Sequence, residues 1–332
     1  MTLNRILIAA IAAVSLSSPA LAKKADHRAY EGPIIDVHLH AYPADGNGPA
    51  PNAACPGVAA NLQYDPQTPW PAKMGALMMD PPCDDPILGP ATDEEVRDQT
   101  IALMKKYNVR GVLSGPADRI ADWQATAPGL FIAGRELSLK RDDVSAEEIE
   151  AEFENGEFEV LAEVTNQYRG FLADDPAFDA YWAVAAKHDI PVGIHLGIGP
   201  PGAPLLYPDF RVQTPLKMEA ILNRHQTLRV YLMHAGFPFA DDMKAMLYLY
   251  PQLYVDTGVL QLAAPREDYY AFLEEIVRAG FGDRIMFGSD QMNWPGMIEE
   301  GIEAINDAPF LTYEQKKDIL HDNAVRFLRL EE

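Results

Sequence analysis

Two histidines separated by one residue close an apolar run near the front of the chain, PIIDVHLH at residues 33–40. In an extended strand successive side chains alternate faces, so His38 and His40 share one face and Leu39 takes the other. Two imidazoles on one strand face can converge on a cation, or can be a pair of hydrogen-bonded structural histidines. Other residues of ligand type close similar runs: Glu163 in EVLAEV, His195 in GIHLG, His234 in LMHAG and Asp290 in MFGSD. Glu163 is costly to bury unless it binds a metal or pairs with a cation such as Arg169. Imidazole plus carboxylate is a ligand set for Zn²⁺ first, then Mn²⁺ or Fe²⁺. The remaining histidines, His27, His188, His225 and His321, fall near the N-terminus or on helices and read as structural or solvated. Asp36 and Asp256 read as caps of strand ends or turns.

The elements that must position these groups alternate along the chain. Eight short apolar runs read as strands: PIIDVHLH, RGVLSG, LFIAG, FEVLAEV, IPVGIHLG, RVYLMHAG, LYVDTG and DRIMFGSD. Helical patterns separate them. One starts at Thr92 with Glu95 completing a capping box, and another starts at Ser145. Repeated βα units favour a parallel sheet, and eight of them an α/β fold of (β/α)₈ TIM-like barrel type. In such a barrel, polar residues at the C-terminal strand ends are the ones free for chemistry. All the candidates sit there, on strands one, four, five, six and eight. A closed ring sets strand eight beside strand one, so Asp290 can reach an ion held by His38 and His40. A Pro- and Gly-rich insertion, residues 41–91, follows strand one; structureless stretches of that length are unusual in a compact domain and often functional. No Gly-rich nucleotide-binding pattern appears.

DVHLH, GIH, MHAG and FGSD, in that order, resemble the amidohydrolase superfamily. The closer likeness is to the amidohydrolase-related group that includes aminocarboxymuconate semialdehyde decarboxylase and small lactone hydrolases. It runs from residue 33 to DNAVRFLRL at the C-terminus, outside the insertion. The resemblance implies a metal at the barrel mouth, bound by His38, His40, His195 and Asp290. It implies that His234 binds a second ion or acts on water or substrate. Where binuclear relatives carry a modified lysine on strand four, this chain has Glu163, which leaves one or two ions open.

These features support a metal-dependent hydrolase of a small lactone, ester or amide. Asp290 would move the proton of the activated water, and His234 would polarise the carbonyl or stabilise the oxyanion. The second reading is non-oxidative decarboxylation or hydration of a small unsaturated acid, with Arg135, Arg169 or Arg211 seating its carboxylate. The third is metal or solute binding without turnover. Trp294, Tyr42, Tyr168 and Arg169 are candidates to line the substrate pocket.

Residues 1–22 carry Arg5, an apolar stretch and an Ala20-Leu21-Ala22 ending, the pattern of a signal peptide cleaved before Lys23. The expected domains are that leader and one barrel domain, residues 23–332. The chain is therefore expected to be exported, periplasmic or secreted. Two cysteines, Cys55 and Cys83, then suggest a disulfide inside the insertion. The formal charge of −22 repels nucleic acid and anionic membranes, which leaves a small-molecule partner. Self-association is left open.

Overall fold

The computed structural model describes residues 26–57, 62–141 and 144–331. The expected leader and its cleavage site at Lys23 lie outside the described residues. Strand β1 (Ile34–His40) is buried along its whole length, as a parallel strand covered on both faces must be. The insertion contains the antiparallel pair β2 (Ala53–Ala54) and β3 (Ile87–Leu88), with the helix Trp70–Met79 between them. Seven more barrel strands follow: β4 (Val109–Ser114), β5 (Phe131–Ala133), β6 (Leu161–Val164), β7 (Val192–His195), β8 (Val230–Met233), β9 (Leu253–Asp256) and β10 (Ile285–Met286). Each lies within one of the apolar runs read from the sequence, except that β4 starts one residue earlier, at Val109.

The strands form two parallel sheets, ordered β1-β4-β5 and β10-β9-β8-β7-β6. Two seams join the sheets. Parallel bridges at Gly134–Val160 and Leu137–Val164 cross from β5 to β6. Backbone hydrogen bonds from Val37 N to Phe287 O and from Asp290 N to His38 O, both 2.9 Å, cross from β10 to β1. The strands thus form an eight-membered ring of TIM-barrel type. Capping boxes start the outer helices Asp93–Lys106 (Thr92 with Glu95) and Ala146–Glu154 (Ser145 with Glu148). Among the described residues, no helix is long and apolar enough to cross a membrane.

The barrel interior holds Ile35, Val37, Val112, Ile132, Val160, Ala162, Tyr231, Met233 and Met286. Leu39 packs outside, against the helices. The inward face of β1 therefore passes from odd to even residues, and the strand's register shifts between Asp36 and Leu39. That irregularity turns His38 and His40 toward the mouth, as bulges beside active sites do.

The insertion lies over the mouth. Cys55 and Cys83 are joined in a disulfide. Ala54 packs on Trp294 and Met297, with Met78, Ile87, Val259, Leu262 and Met292 around them. Trp70 Nε1 donates to Pro201 O at 2.9 Å, and Gly57 N donates to Leu262 O at 2.8 Å. The segment thereby touches loops that follow β7, β9 and β10.

Candidate metal centre

His38 and Asp290 meet across the seam between β1 and β10. His38 Nδ1 lies 3.0 Å from Asp256 Oδ2. A carboxylate only accepts, so Nδ1 carries the proton of the neutral ring and Nε2 keeps its lone pair. Nε2 is buried without a hydrogen-bond partner, 3.7 Å from Asp290 Oδ1. That same oxygen is 3.2 Å from His40 Nε2. Two ring nitrogens thus face one carboxylate oxygen in a buried place, an arrangement that calls for positive charge between them. Burial opposes charge on His38, but Asp290 and Asp256 outweigh it and raise the ring to about 9. His40 behaves alike, raised to about 10 against its burial by Asp290 and Glu136. Burial favours the neutral acid of Asp290, yet His38, His40 and His234 hold its carboxyl well below the usual range.

A second group adjoins the first. Glu163, His195 and His234 bring one ligand atom each within 4.8 Å of one another, as do His38, His40 and Asp290. Glu163 Oε2 stands 3.8 Å from His40 Nε2, between the two groups. It makes no ion pair with Arg169 among the described residues; burial, eased by His40 and His38, raises its carboxyl. His234 Nδ1 lies 2.9 Å from Gly258 O, an acceptor, so its Nε2 is the nitrogen with a free lone pair. His195 Nδ1 has no partner, while its Nε2 lies 3.0 Å from the Tyr168 hydroxyl. Burial and the neighbouring His234 keep that ring neutral, well below the usual histidine range. By these tests the residues fit one or two divalent cations.

The backbone at the mouth is irregular where the ligands sit. His234 and Ala235 take φ of 59° and 49°, and Asp290 takes 49°, all left-handed. Non-glycine residues pay for that conformation, and such cost clusters at functional sites. Asp256 Oδ1 accepts from His234 N at 2.9 Å and Gly258 N at 2.8 Å, which holds the first of these turns. At the seam the Gln291 side chain bonds both backbone groups of His40, Oε1 from its N at 2.9 Å and Nε2 to its O at 2.6 Å.

The other expected residues divide. Tyr42 stacks on His40 with ring centroids 4.3 Å apart. Tyr168 is half-buried and packs against His195, Tyr207 and Phe210. Trp294 is buried beneath the insertion, where it packs rather than lines an open pocket. Arg169 makes no hydrogen bond or ion pair with the histidine–carboxylate cluster among the described residues. Arg135 is held by Glu152 at 2.8 Å, and Arg211 donates to Phe210 O at 3.0 Å. The sequence reading missed Glu136, which is buried beside His40, and the seam amide of Gln291. Asp256 does cap a turn as expected, and it also holds His38. Only proximity in the fold distinguishes these three; nothing local marks them.

The family model for amidohydrolases matches residues 35–330. This chain belongs to the amidohydrolase family. No curated protein matches the sequence. Among solved structures, an uncharacterized TIM-barrel protein of Bordetella bronchiseptica is 17% identical, with TM-score 0.58 over 90% of this chain and 99% of that one. A probable 2-pyrone-4,6-dicarboxylic acid hydrolase of Acinetobacter baumannii is 14% identical, with TM-score 0.56 over 90% and 100%. A 5-carboxyvanillate decarboxylase of Novosphingobium aromaticivorans, complexed with manganese and a nitrobenzoic acid, is 14% identical, with TM-score 0.55 over 92% and 99%. At these identities the likeness is one of fold. The names of these fold relatives include a hydrolase and a decarboxylase, so they choose no reaction for this chain.

Proposed function

We propose that this amidohydrolase-family chain is a metal-dependent hydrolase that opens a C–O or C–N bond of a small lactone, ester or amide. One observation carries the reading: two imidazole nitrogens and a carboxylate oxygen converge in a buried place, His38 through a nitrogen that has no hydrogen-bond partner. His38, His40 and Asp290 would hold one divalent cation; Glu163, His195 and His234 would complete its shell or hold a second. Zinc suits this set first, and manganese also fits it. When bound, the cation supplies Lewis acidity and a water acidified toward neutrality.

The chain's own residues supply the rest. Asp290 Oδ1 faces the His38 and His40 rings. Its Oδ2, 4.0 Å from His234, is left to take a proton from the attacking water and return it to the leaving atom. His234 polarises the substrate carbonyl or ligates a second ion; its Nδ1 contact with Gly258 supports ligation. The Tyr168 hydroxyl, 3.0 Å from His195 Nε2, is then a donor available to a developing oxyanion. Burial, with Glu163 nearby, pushes that phenol well above its usual range, so it remains an O–H donor.

Decarboxylation would use the same ligands. It is the weaker reading here, because among the described residues none of the three candidate arginines bonds to the histidine–carboxylate cluster. The test is metal content per chain of protein purified without chelator, followed by turnover of a panel of lactones, esters, amides and carboxylic acids. Metal-dependent hydrolysis is expected. Release of carbon dioxide would transfer the chain to the second reading. A folded His38→Ala/His40→Ala variant that keeps full metal and activity would remove the site assignment.

We also infer that the protein is exported with residues 1–22 removed. The Cys55–Cys83 bridge supports this, since disulfides persist in oxidising compartments. Mass spectrometry of the exported protein is expected to find Lys23 at the N-terminus.

A further inference from the structure

Glu136 follows β5 and is buried, although no role in turnover falls to it. Its Oε2 accepts from Arg141 at 3.1 Å, but the Arg141 side chain is 45% exposed. Such a half-exposed pair contributes little, not enough to offset burying a carboxylate. The other oxygen accounts for the burial. Oε1 lies 3.6 Å from His40 Nδ1, and both atoms are buried with no hydrogen-bond partner. That distance exceeds a hydrogen bond, and an approach of about 0.6 Å would close it. Tyr42 stacks on the His40 ring at 4.3 Å, and Asp290 faces the ring's far edge at 3.2 Å. His40 is therefore bounded on one face and at both nitrogens. The arrangement repeats that of His38, whose Nδ1 meets Asp256 at 3.0 Å.

We propose that Glu136 is a positioning residue for His40: it keeps the ring proton on Nδ1 and so presents the Nε2 lone pair beside Asp290 to an incoming cation. The proposal rests on the metal-centre reading above. A carboxylate accepts and cannot donate, so facing Nδ1 it selects the tautomer with Nδ1–H. In the opposite tautomer an N–H would point at Asp290 and occupy the cation's place. Carboxylates behind ligating histidines fix ring orientation and raise ligand basicity in this way. Each histidine of the pair thus has its own acid, Asp256 from β9 and Glu136 from the loop after β5.

The test is zinc affinity, measured by competition with a chromophoric chelator on metal-stripped full-length protein. Glu136→Gln keeps the shape, removes the charge and can offer an N–H to Nδ1. Its first zinc is expected to bind about 10- to 100-fold more weakly than in wild type, with the melting temperature of the metal-free protein little changed. Affinity within about threefold of wild type, against that expected range, overturns the proposal and leaves the metal centre standing. A wild type that binds no zinc overturns the metal centre itself. A second readout needs no variant that might misfold. Long-range proton–nitrogen NMR of zinc-loaded, histidine-labelled wild type is expected to show the His40 proton on Nδ1, and a proton on Nε2 overturns the proposal.

Discussion

Single atoms explain most of the site. Asp256 offers two oxygens to three donors on three segments of the chain: one to the His38 ring, the other to the backbones of His234 and Gly258. One buried carboxylate therefore sets the tautomer of a strand-one histidine and the turn of a strand-six histidine. On the proposed reading Asp290 touches the cation and the attacking water together. Asp290→Asn should lower kcat by about 10²–10⁴ on a substrate whose chemical step limits turnover, while KM changes less. An Asp290→Asn enzyme within about threefold of wild-type kcat, far short of a lost general base, would move the proton shuttle elsewhere, with His234 the next suspect. Tyr168→Phe removes the O–H beside His195 and keeps the ring among Tyr207 and Phe210. If that hydroxyl stabilises the oxyanion, kcat should fall by about 10²-fold with zinc content unchanged; loss of zinc instead would make Tyr168 a support for His195 alone.

The elements deliver these side chains by breaking their own regularity. β1 shifts register between Asp36 and Leu39, β6 shifts between Leu161 and Val164, and the chain turns left-handed at His234 and Asp290. Of the strands that carry the cluster, β7 alone presents its side chain by simple alternation: Ile194 packs outward and His195 turns to the mouth. Where the β10–β1 ladder fails, Gln291 replaces it with a side-chain amide that bonds His40 on both backbone groups. Gln291→Leu would leave two buried backbone groups unpaired. It is expected to cost about 2–4 kcal/mol, seen as a lower melting temperature of metal-free protein, and to loosen zinc. An unchanged melting temperature and zinc affinity would show that water replaces the amide. These devices mark the limit of what was legible beforehand. Strand identity, helix starts at Thr92 and Ser145, and the convergence of His38, His40, His195, His234 and Asp290 follow from apolar runs and the barrel's direction. The helix Trp70–Met79 was not legible, because Pro69 and Pro71 flank its first residue inside Pro- and Gly-rich sequence and only Trp70 of it is buried. Glu136 and Gln291 were not legible either, since their partners lie on other strands.

At the scale of the whole molecule the insertion lies across the end of the ring that carries the histidine–carboxylate cluster. His38, His40, His195, His234, Glu163 and Asp290 are each no more than 6% exposed. The cover's anchors include Trp70 on Pro201, the apolar cluster around Trp294, Asn47 on Asn293 at 2.6 Å and Gly57 on Leu262 at 2.8 Å. Cys55 and Cys83 stand 28 positions apart, and closing a loop of that size restrains the unfolded insertion by about 3–4 kcal/mol. If local opening of the insertion is the route by which metal and substrate pass, the bridge should suppress that opening by up to about 10²–10³-fold. Reduction, or Cys83→Ser, should therefore speed chelator-driven loss of zinc without moving the zinc ligands. The far-ultraviolet spectrum should stay nearly constant, because the barrel strands do not depend on the bridge. The control is Lys316→Met, which breaks a buried clamp of three carbonyl bonds, to His27, Arg28 and Asn306, without touching the insertion. It should lower stability but leave the chelation rate at low temperature close to wild type. Equal rates of zinc loss with the bridge intact and reduced would show that metal reaches the site by another path. Equal acceleration in Lys316→Met would show that release follows global unfolding rather than movement of the cover.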